Sequence, residues 1–337
     1  MRTARVKAEG AAYYHIVSRV IERRMVMGEL EKEKFRTLLR AVAGFCGVEV
    51  LTYALLDNHF HLLVQVPEAQ VISDGEFIRR LGLVYGKEHV TSVRMGLEGA
   101  RAEGAETAER YKRQYTYRMY EVSEFMKMLK QRYTQWHNKR QARHGTLWEQ
   151  RFKSILVEGS EQALTTMAAY IDLNAVRAGL VADPKEYRYS GYGEAAGGGK
   201  EARAGLARVM QAFGWQGKDW RETGAAYRKY LFQQGEQRGV RADGKPVKAG
   251  ITPERVAAVV EANGKLTLGE ALRCRVRYFA DGVALGSKEF VEGVFQAHRE
   301  QFGAKRQTGA RVMKWGEWGG LCTARDLRLE VGGAPAG

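Results

Sequence analysis

Two histidines separated by one residue, His59-Phe60-His61, follow the turn residues Asp57-Asn58 inside an otherwise apolar run. On a strand, residues two apart project to the same side, so both imidazoles leave one face while Phe60 and Leu62 enter the other. Two neutral imidazoles side by side can clamp a divalent metal ion. The plainer reading is a pair of ordinary strand histidines, and so short a motif does not decide between the two. A second set lies in Tyr170-Ile171-Asp172-Leu173-Asn174-Ala175-Val176-Arg177. On a continuous helix Tyr170, Asn174 and Arg177 stand at i, i+4 and i+7 and share one face, while Met167 and Ile171 turn toward packing. That face offers a phenol, an amide oxygen and a guanidinium. A helical tyrosine is more often a packed aromatic than a nucleophile, yet packing does not explain why polar Asn174 shares its stripe.

The elements that must position these groups follow from hydrophobic periodicity. Tyr13 to Val20 reads as a strand, and Glu31 to Cys46 as a helix with Phe35, Leu38, Leu39, Val42 and Phe45 at helical spacing. Val48 to Leu56 and His59 to Val66 read as a hairpin across Asp57-Asn58. Val122 to Arg140 is a helix and Phe152 to Val157 a strand. Ser160 then caps a helix that runs toward Ala178 and stops at Gly179. The order β-α-β-β-α-β plus a helix predicts an α+β fold: a ferredoxin-like antiparallel sheet with helices packed on one face. Residues at about 69–120 fit no element of that core and read as a charged, largely helical insertion. Residues 1–192 form the expected first domain, and the glycine cluster that begins at Gly191 marks a linker over 193–204. Residues 205–337 read as a mostly helical, basic C-terminal region, with Thr252-Pro253-Glu254 and Ser287 opening helices. Trp315 and Trp318 read as core.

The chain has 337 residues, 45% of them hydrophobic, with 54 Lys and Arg against 39 Asp and Glu, a formal charge of +15. That balance favours a polyanionic partner such as nucleic acid. Three cysteines without C-x-x-C spacing exclude a cysteine zinc cage and favour a reducing compartment. No apolar stretch approaches the length of a membrane span, and the N-terminus lacks the apolar core of a signal peptide, so a cytoplasmic protein without a membrane partner is expected. Lys127, Lys130, Arg132, Arg151 and Lys153 crowd a segment in which Tyr133, Trp136, Trp148 and Phe152 are interleaved. Cations for phosphates and rings for bases suit single-stranded or hairpin DNA. Arg273, Arg275, Arg277, Lys305, Arg306, Arg311 and Lys314 make the C-terminal region a second candidate for DNA contact.

Four ordered blocks carry a family resemblance: Asn58-His59-Phe60-His61-Leu62-Leu63-Val64, Phe125 to Thr134, Leu147-Trp148-Glu149-Gln150-Arg151-Phe152-Lys153-Ser154, and Tyr170 to Val181. Together, over roughly residues 10 to 192, they resemble the REP-associated tyrosine transposases. These are single-tyrosine members of the HUH endonuclease superfamily with an IS200-like transposase domain. Ala175 departs from the proline usual there, which relaxes the local helix without removing a reactive group. The resemblance implies that His59, His61 and Asn174 hold Mg²⁺ or Mn²⁺ and that Tyr170 is the nucleophile. Attack on hairpin, REP-like palindromic DNA would give a 5′-phosphotyrosine intermediate and a free 3′-OH. Lys127, Lys130, Arg132, Arg151, Lys153 and Arg177 are the candidate DNA contacts. Two imidazoles by themselves would equally suit Mn²⁺ or Zn²⁺. In related transposases the tyrosine helix serves its own subunit or a partner's, so a homodimer is allowed. A non-catalytic DNA-binding protein or repressor of repeat elements is the alternative in another class. A small-molecule metalloenzyme with His-x-His on a β-barrel is disfavoured by the helix-rich order and the basic charge.

Overall fold

The computed structural model describes residues 5–212, 214–233, 272, 278–314, 316–325 and 327. Its first elements are β1 (Ala12–Arg19), α1 (Glu29–Cys46), β2 (Glu49–Leu55) and β3 (His59–Val66). The insertion supplies α2 (Asp74–Leu81), α3 (Lys87–Glu103) and α4 (Ala105–Thr116). The core resumes with α5 (Val122–Arg140), β4 (Lys153–Val157), α6 (Glu161–Asp172) and α7 (Asn174–Arg177). Beyond them lie α8 (Gly191–Ala196), α9 (Lys200–Ala212) and α10 (Trp220–Gln233), then α11 (Tyr278–Asp281), β5 (Ala284–Gly286), α12 (Lys288–Ala297), β6 (Arg311–Val312) and β7 (Cys322–Ala324).

The first four strands lie in the order β2-β3-β1-β4, antiparallel throughout, which is the ferredoxin-like sheet that the element order predicts. The central strands are buried on both faces, and this is why they are written as near-continuous apolar runs. Phe60, Leu62 and Val64 pack with Phe35, Leu39 and Tyr133 of α1 and α5. Leu63, Leu51 and Ala54 face the other way, onto Met167 and Ile171 of α6 and Leu206 and Val209 of α9. The expectation of helices on one face is therefore corrected: the sheet is covered on both. The insertion is helical, as expected, and buries Phe77, Leu81, Val93 and Leu97 in the α1 and α5 layer.

The sheet does not stop at the expected domain boundary. β5 pairs parallel to β4, and β7 and β6 extend the edge, so the helix-rich C-terminal region also lends three short strands to one seven-stranded sheet. Nor do the glycines after Ser190 act as a linker. They sit in α8 and its turn into α9, where close approach explains the type of two of them: a Cβ on Gly193 would lie 1.9 Å from the Tyr187 carbonyl oxygen, and one on Gly191 would lie 2.1 Å from Thr52 Oγ1. Ser287 caps α12 as expected, accepting from the Phe290 amide. Ser160 stands at the start of α6 but donates to Glu158, which also receives the Ser287 hydroxyl. The expectations for Thr252-Pro253-Glu254, Arg273, Arg275, Arg277 and Trp315 fall outside the described residues; Trp318 is buried. Among the described residues no helix is long and apolar enough to cross a membrane.

One buried carboxylate ties the layers behind the sheet. Asp172, fully buried at the end of α6, accepts from Thr52 Oγ1 of β2 at 2.8 Å, the Tyr192 amide of α8 at 3.0 Å and Tyr227 Oη of α10 at 2.6 Å. Burial raises its pKa to about 6 against the pull of those three donors. Asp172→Ala leaves all three donors without an acceptor. It should cost about 3 kcal/mol of stability in denaturant unfolding, whereas Asp172→Asn, which keeps an acceptor for the amide, should cost about 1 kcal/mol.

Candidate active site

The site lies where β1 and β3 meet α6. Antiparallel register places Val17 opposite His61 and His15 opposite Leu63, so His15 is the diagonal neighbour of His61 on the same face. Their rings stack at 5.2 Å, and His15 Nε2 and His61 Nδ1 share a hydrogen bond of 2.9 Å. His59 lies beside them, 5.2 Å from His61 between ring centroids, with its Nδ1 2.7 Å from Asn58 Oδ1. The Asn58 oxygen can only accept, so His59 Nδ1 is the donor and the lone pair of the neutral ring falls on Nε2. The same arrangement follows for His61 when its Nδ1 proton is given to His15. Burial holds His15 at about 3 and His61 well below the usual histidine value, with the charge of its neighbours His15, His59 and Arg177 adding to the effect on His61. Both rings are neutral at physiological pH.

These features fit a divalent cation. Neutral imidazoles whose far nitrogens are already held present Nε2 as the ligating atom, in the way that orienting partners set metal-bound histidines. Among the described residues there is no group of three or more His, Cys, Asp and Glu able to hold a metal ion, so oxygen ligands must come from an amide, water or substrate phosphate.

The helix expected to run unbroken from Ser160 divides at Leu173, whose φ of −82° and ψ of 0° separate α6 from α7. Tyr170, Asn174 and Arg177 nonetheless stay together, because both later side chains return to the Tyr170 carbonyl. Asn174 Nδ2 donates to it at 3.3 Å and Arg177 donates through Nη2, the guanidinium lying 4.1 Å above the tyrosine ring. The bond from Nδ2 does not engage the amide oxygen of Asn174, the atom that would ligate a cation. The Tyr170 ring lies 6.1 Å from His61 and 6.2 Å from His15, edge to face. It is also only 3% exposed. Phe279 of α11 packs against it at 4.5 Å, and Arg177 Nη1 donates to the Leu272 carbonyl at 2.7 Å, so the C-terminal region closes over the phenol. Phe279→Ala should open the ring, read as severalfold faster chemical nitration of Tyr170 mapped by peptide mass, with unchanged far-ultraviolet circular dichroism.

The other sequence-selected cations lie apart from this cluster. Lys127, Lys130 and Arg132 belong to α5, across the sheet from the histidines. Lys130 donates to the Gln150 carbonyl at 3.0 Å, and burial, with Arg5 and Arg151 nearby, lowers it to about 8. Burial and Arg151 likewise lower Arg5 to about 10. Mutual repulsion of this kind marks a place where cations are crowded. Arg151 is exposed, and Lys153 pairs with Asp281 at 2.9 Å. The aromatic residues expected between these cations as stacking surfaces are instead packed: Tyr133 is fully buried, Trp148 packs on Phe60 and Tyr133, and Phe152 lies under the Arg5 guanidinium. Their spacing on α5 and around β4 serves the core. Sequence reasoning missed His15, Phe279, Asp172 and Arg5. Only His15 left a signal, a polar residue inside the first apolar strand, and strand register was needed to read it.

Residues 9–89 match the family model described as Transposase IS200 like. None of the curated proteins matches the chain. A solved structure of a REP-associated tyrosine transposase bound to a REP hairpin is similar at 12% identity with a TM-score of 0.37, over 59% of this chain and 87% of that one. The family match spans β1, α1, β2 and β3, and so includes His15, His59 and His61. Over residues 9–89 the chain is therefore similar to IS200-like transposases.

Proposed function

We propose that this protein is a metal-dependent endonuclease and strand transferase for single-stranded, hairpin-forming DNA, of the REP-associated kind, with Tyr170 as nucleophile. The observation that carries the reading is the approach of the Tyr170 ring to within 6.1 Å of His61, in a face where His59 and His61 lie side by side with their Nδ1 atoms engaged by Asn58 and His15. His59 and His61, joined by Asn174, would hold Mg²⁺ or Mn²⁺. Such an ion, when bound, supplies Lewis acidity to a non-bridging phosphate oxygen.

The residues account for the remaining requirements. The phenol of Tyr170 loses its proton and its oxygen attacks phosphorus; the bond to the 3′ oxygen breaks, and that oxygen leaves as a protonated 3′-OH. The product is a 5′-phosphotyrosine whose phosphodiester energy is kept for rejoining. The Arg177 guanidinium lies over this ring, a fixed positive charge near the place where the scissile phosphate must sit. DNA reaches Tyr170 only when Phe279 withdraws from it. Lys127, Lys130, Arg132, Arg151 and Lys153 would hold the DNA at a distance from the reacting atoms.

The test is incubation of the protein with end-labelled hairpin DNA and Mn²⁺, followed by denaturing electrophoresis. A metal-dependent covalent protein–DNA band is expected. The burial of Tyr170 favours one other reading, a DNA-binding protein or repressor without turnover. Tight binding with no covalent band at any metal concentration would select it.

A further inference from the structure

Of the aromatic residues that the sequence offered for base stacking, Tyr133, Trp148 and Phe152 are buried and Trp136 is partly buried against the core, but the insertion brings an exposed ring to the same helix. Tyr117, in the turn between α4 and α5, is 57% exposed. It borders a cavity of about 280 Å³ that is also lined by Tyr85, Arg118, Lys127, Gln131 and Arg132. Arg118 is fixed within a cage of rings, 5.2 Å from both Phe45 and Tyr117, 5.6 Å from Tyr115 and 5.9 Å from Tyr85. Its hydrogen bonds go to the Tyr85 hydroxyl at 2.7 Å and the Tyr115 carbonyl at 3.3 Å, both neutral groups. Arg132 lies 5.2 Å over the Tyr85 ring. Among the described residues neither guanidinium forms a salt bridge. Glu124 also lines the cavity and meets Lys127 at 3.3 Å, a solvent-facing pair of the weak kind.

We propose that this cavity holds one unpaired nucleotide of bound DNA, its base stacked on Tyr117 and its phosphate between Lys127 and Arg132. The inference rests on the DNA-processing reading above and adds a contact that the reaction itself does not use. A flat exposed ring beside two guanidiniums without a salt bridge and a lysine in one weak, exposed pair is a combination that takes a base and a phosphate together, and stacking is tolerant of sequence. Gln131 offers an amide to the base edge. The volume sits at the small end of ligand pockets, room for a nucleotide and not for a duplex. Three cations around one tyrosine disfavour an apolar peptide at the same place. Because α5 lies across the sheet from His59 and His61, the subsite grips DNA away from the cleaved bond.

The experiment measures binding by fluorescence anisotropy of a hairpin with an unpaired extension and of the same hairpin trimmed to its paired stem, without metal. Tyr117→Ala should weaken binding of the extended hairpin roughly tenfold, the worth of one stacked base, and should barely change binding of the trimmed one. Arg132→Gln should lower the salt slope for the extended hairpin by about one. Equal losses on both DNAs, or none on either, overturn the subsite and leave the DNA-processing reading standing. Failure of the unaltered protein to bind either DNA overturns both.

Discussion

Tyr170→Phe should leave a folded protein that still holds hairpin DNA, while the covalent protein–DNA species vanishes. Only the phenolic oxygen is removed. The ring keeps Phe279 at 4.5 Å and the Arg177 guanidinium at 4.1 Å, and the backbone carbonyl that receives Asn174 and Arg177 is unchanged. Loss of a nucleophile whose partners stay in place removes nearly the whole contribution of the group, so cleavage should fall at least about a thousandfold. DNA affinity depends on cations elsewhere and should change less than about twofold. A covalent band of undiminished strength from Tyr170→Phe would move the chemistry to another residue, which peptide mapping of the adduct would locate.

His61→Ala should produce the second large effect, with a different signature. The substitution removes a candidate metal ligand and leaves His15 Nε2 without its 2.9 Å partner in a fully buried position. Cleavage should drop by about a thousandfold or more and not recover at high Mn²⁺, again with DNA affinity nearly intact. His15→Ala separates ligation from orientation. If His15 only fixes the His61 ring, its loss should raise the Mn²⁺ concentration needed for half-maximal cleavage by about 10–100-fold, with activity restored at high metal. Loss of DNA binding in parallel with cleavage in His61→Ala would mean that the histidines serve the fold.

Much of the fold was legible because it is written in short-range pattern. The span His59–Val66 came from an apolar run bounded by the turn Asp57-Asn58, the helix Val122–Arg140 from its 3.6-residue period, and the ferredoxin-like order followed from the sequence of elements. The second helical layer was harder to see. A strand buried on both faces looks apolar throughout, and that run does not say which helix covers which side. The glycines after Ser190 carried the opposite message from the usual one, since glycine marks close backbone approach as often as it marks a linker, and the neighbour that decides between them is distant in sequence. Tyr133, Trp148 and Phe152 failed as stacking surfaces for a related reason: composition counts rings and cations but does not assign them an inside or an outside.

The sequence by itself determined the two-histidine face, the tyrosine with its amide and guanidinium companions, and the basic balance that calls for a polyanion, because each depends on residue type and on spacing within a single element. Tertiary structure alone decided that His15 sits against His61, that α6 crosses to the histidine side of the sheet, and that Phe279, more than 100 residues further along the chain, covers Tyr170. Those outcomes depend on strand register and on which surfaces exclude water together. Both are set by the sum of many weak contacts between distant segments, so no local pattern encodes them.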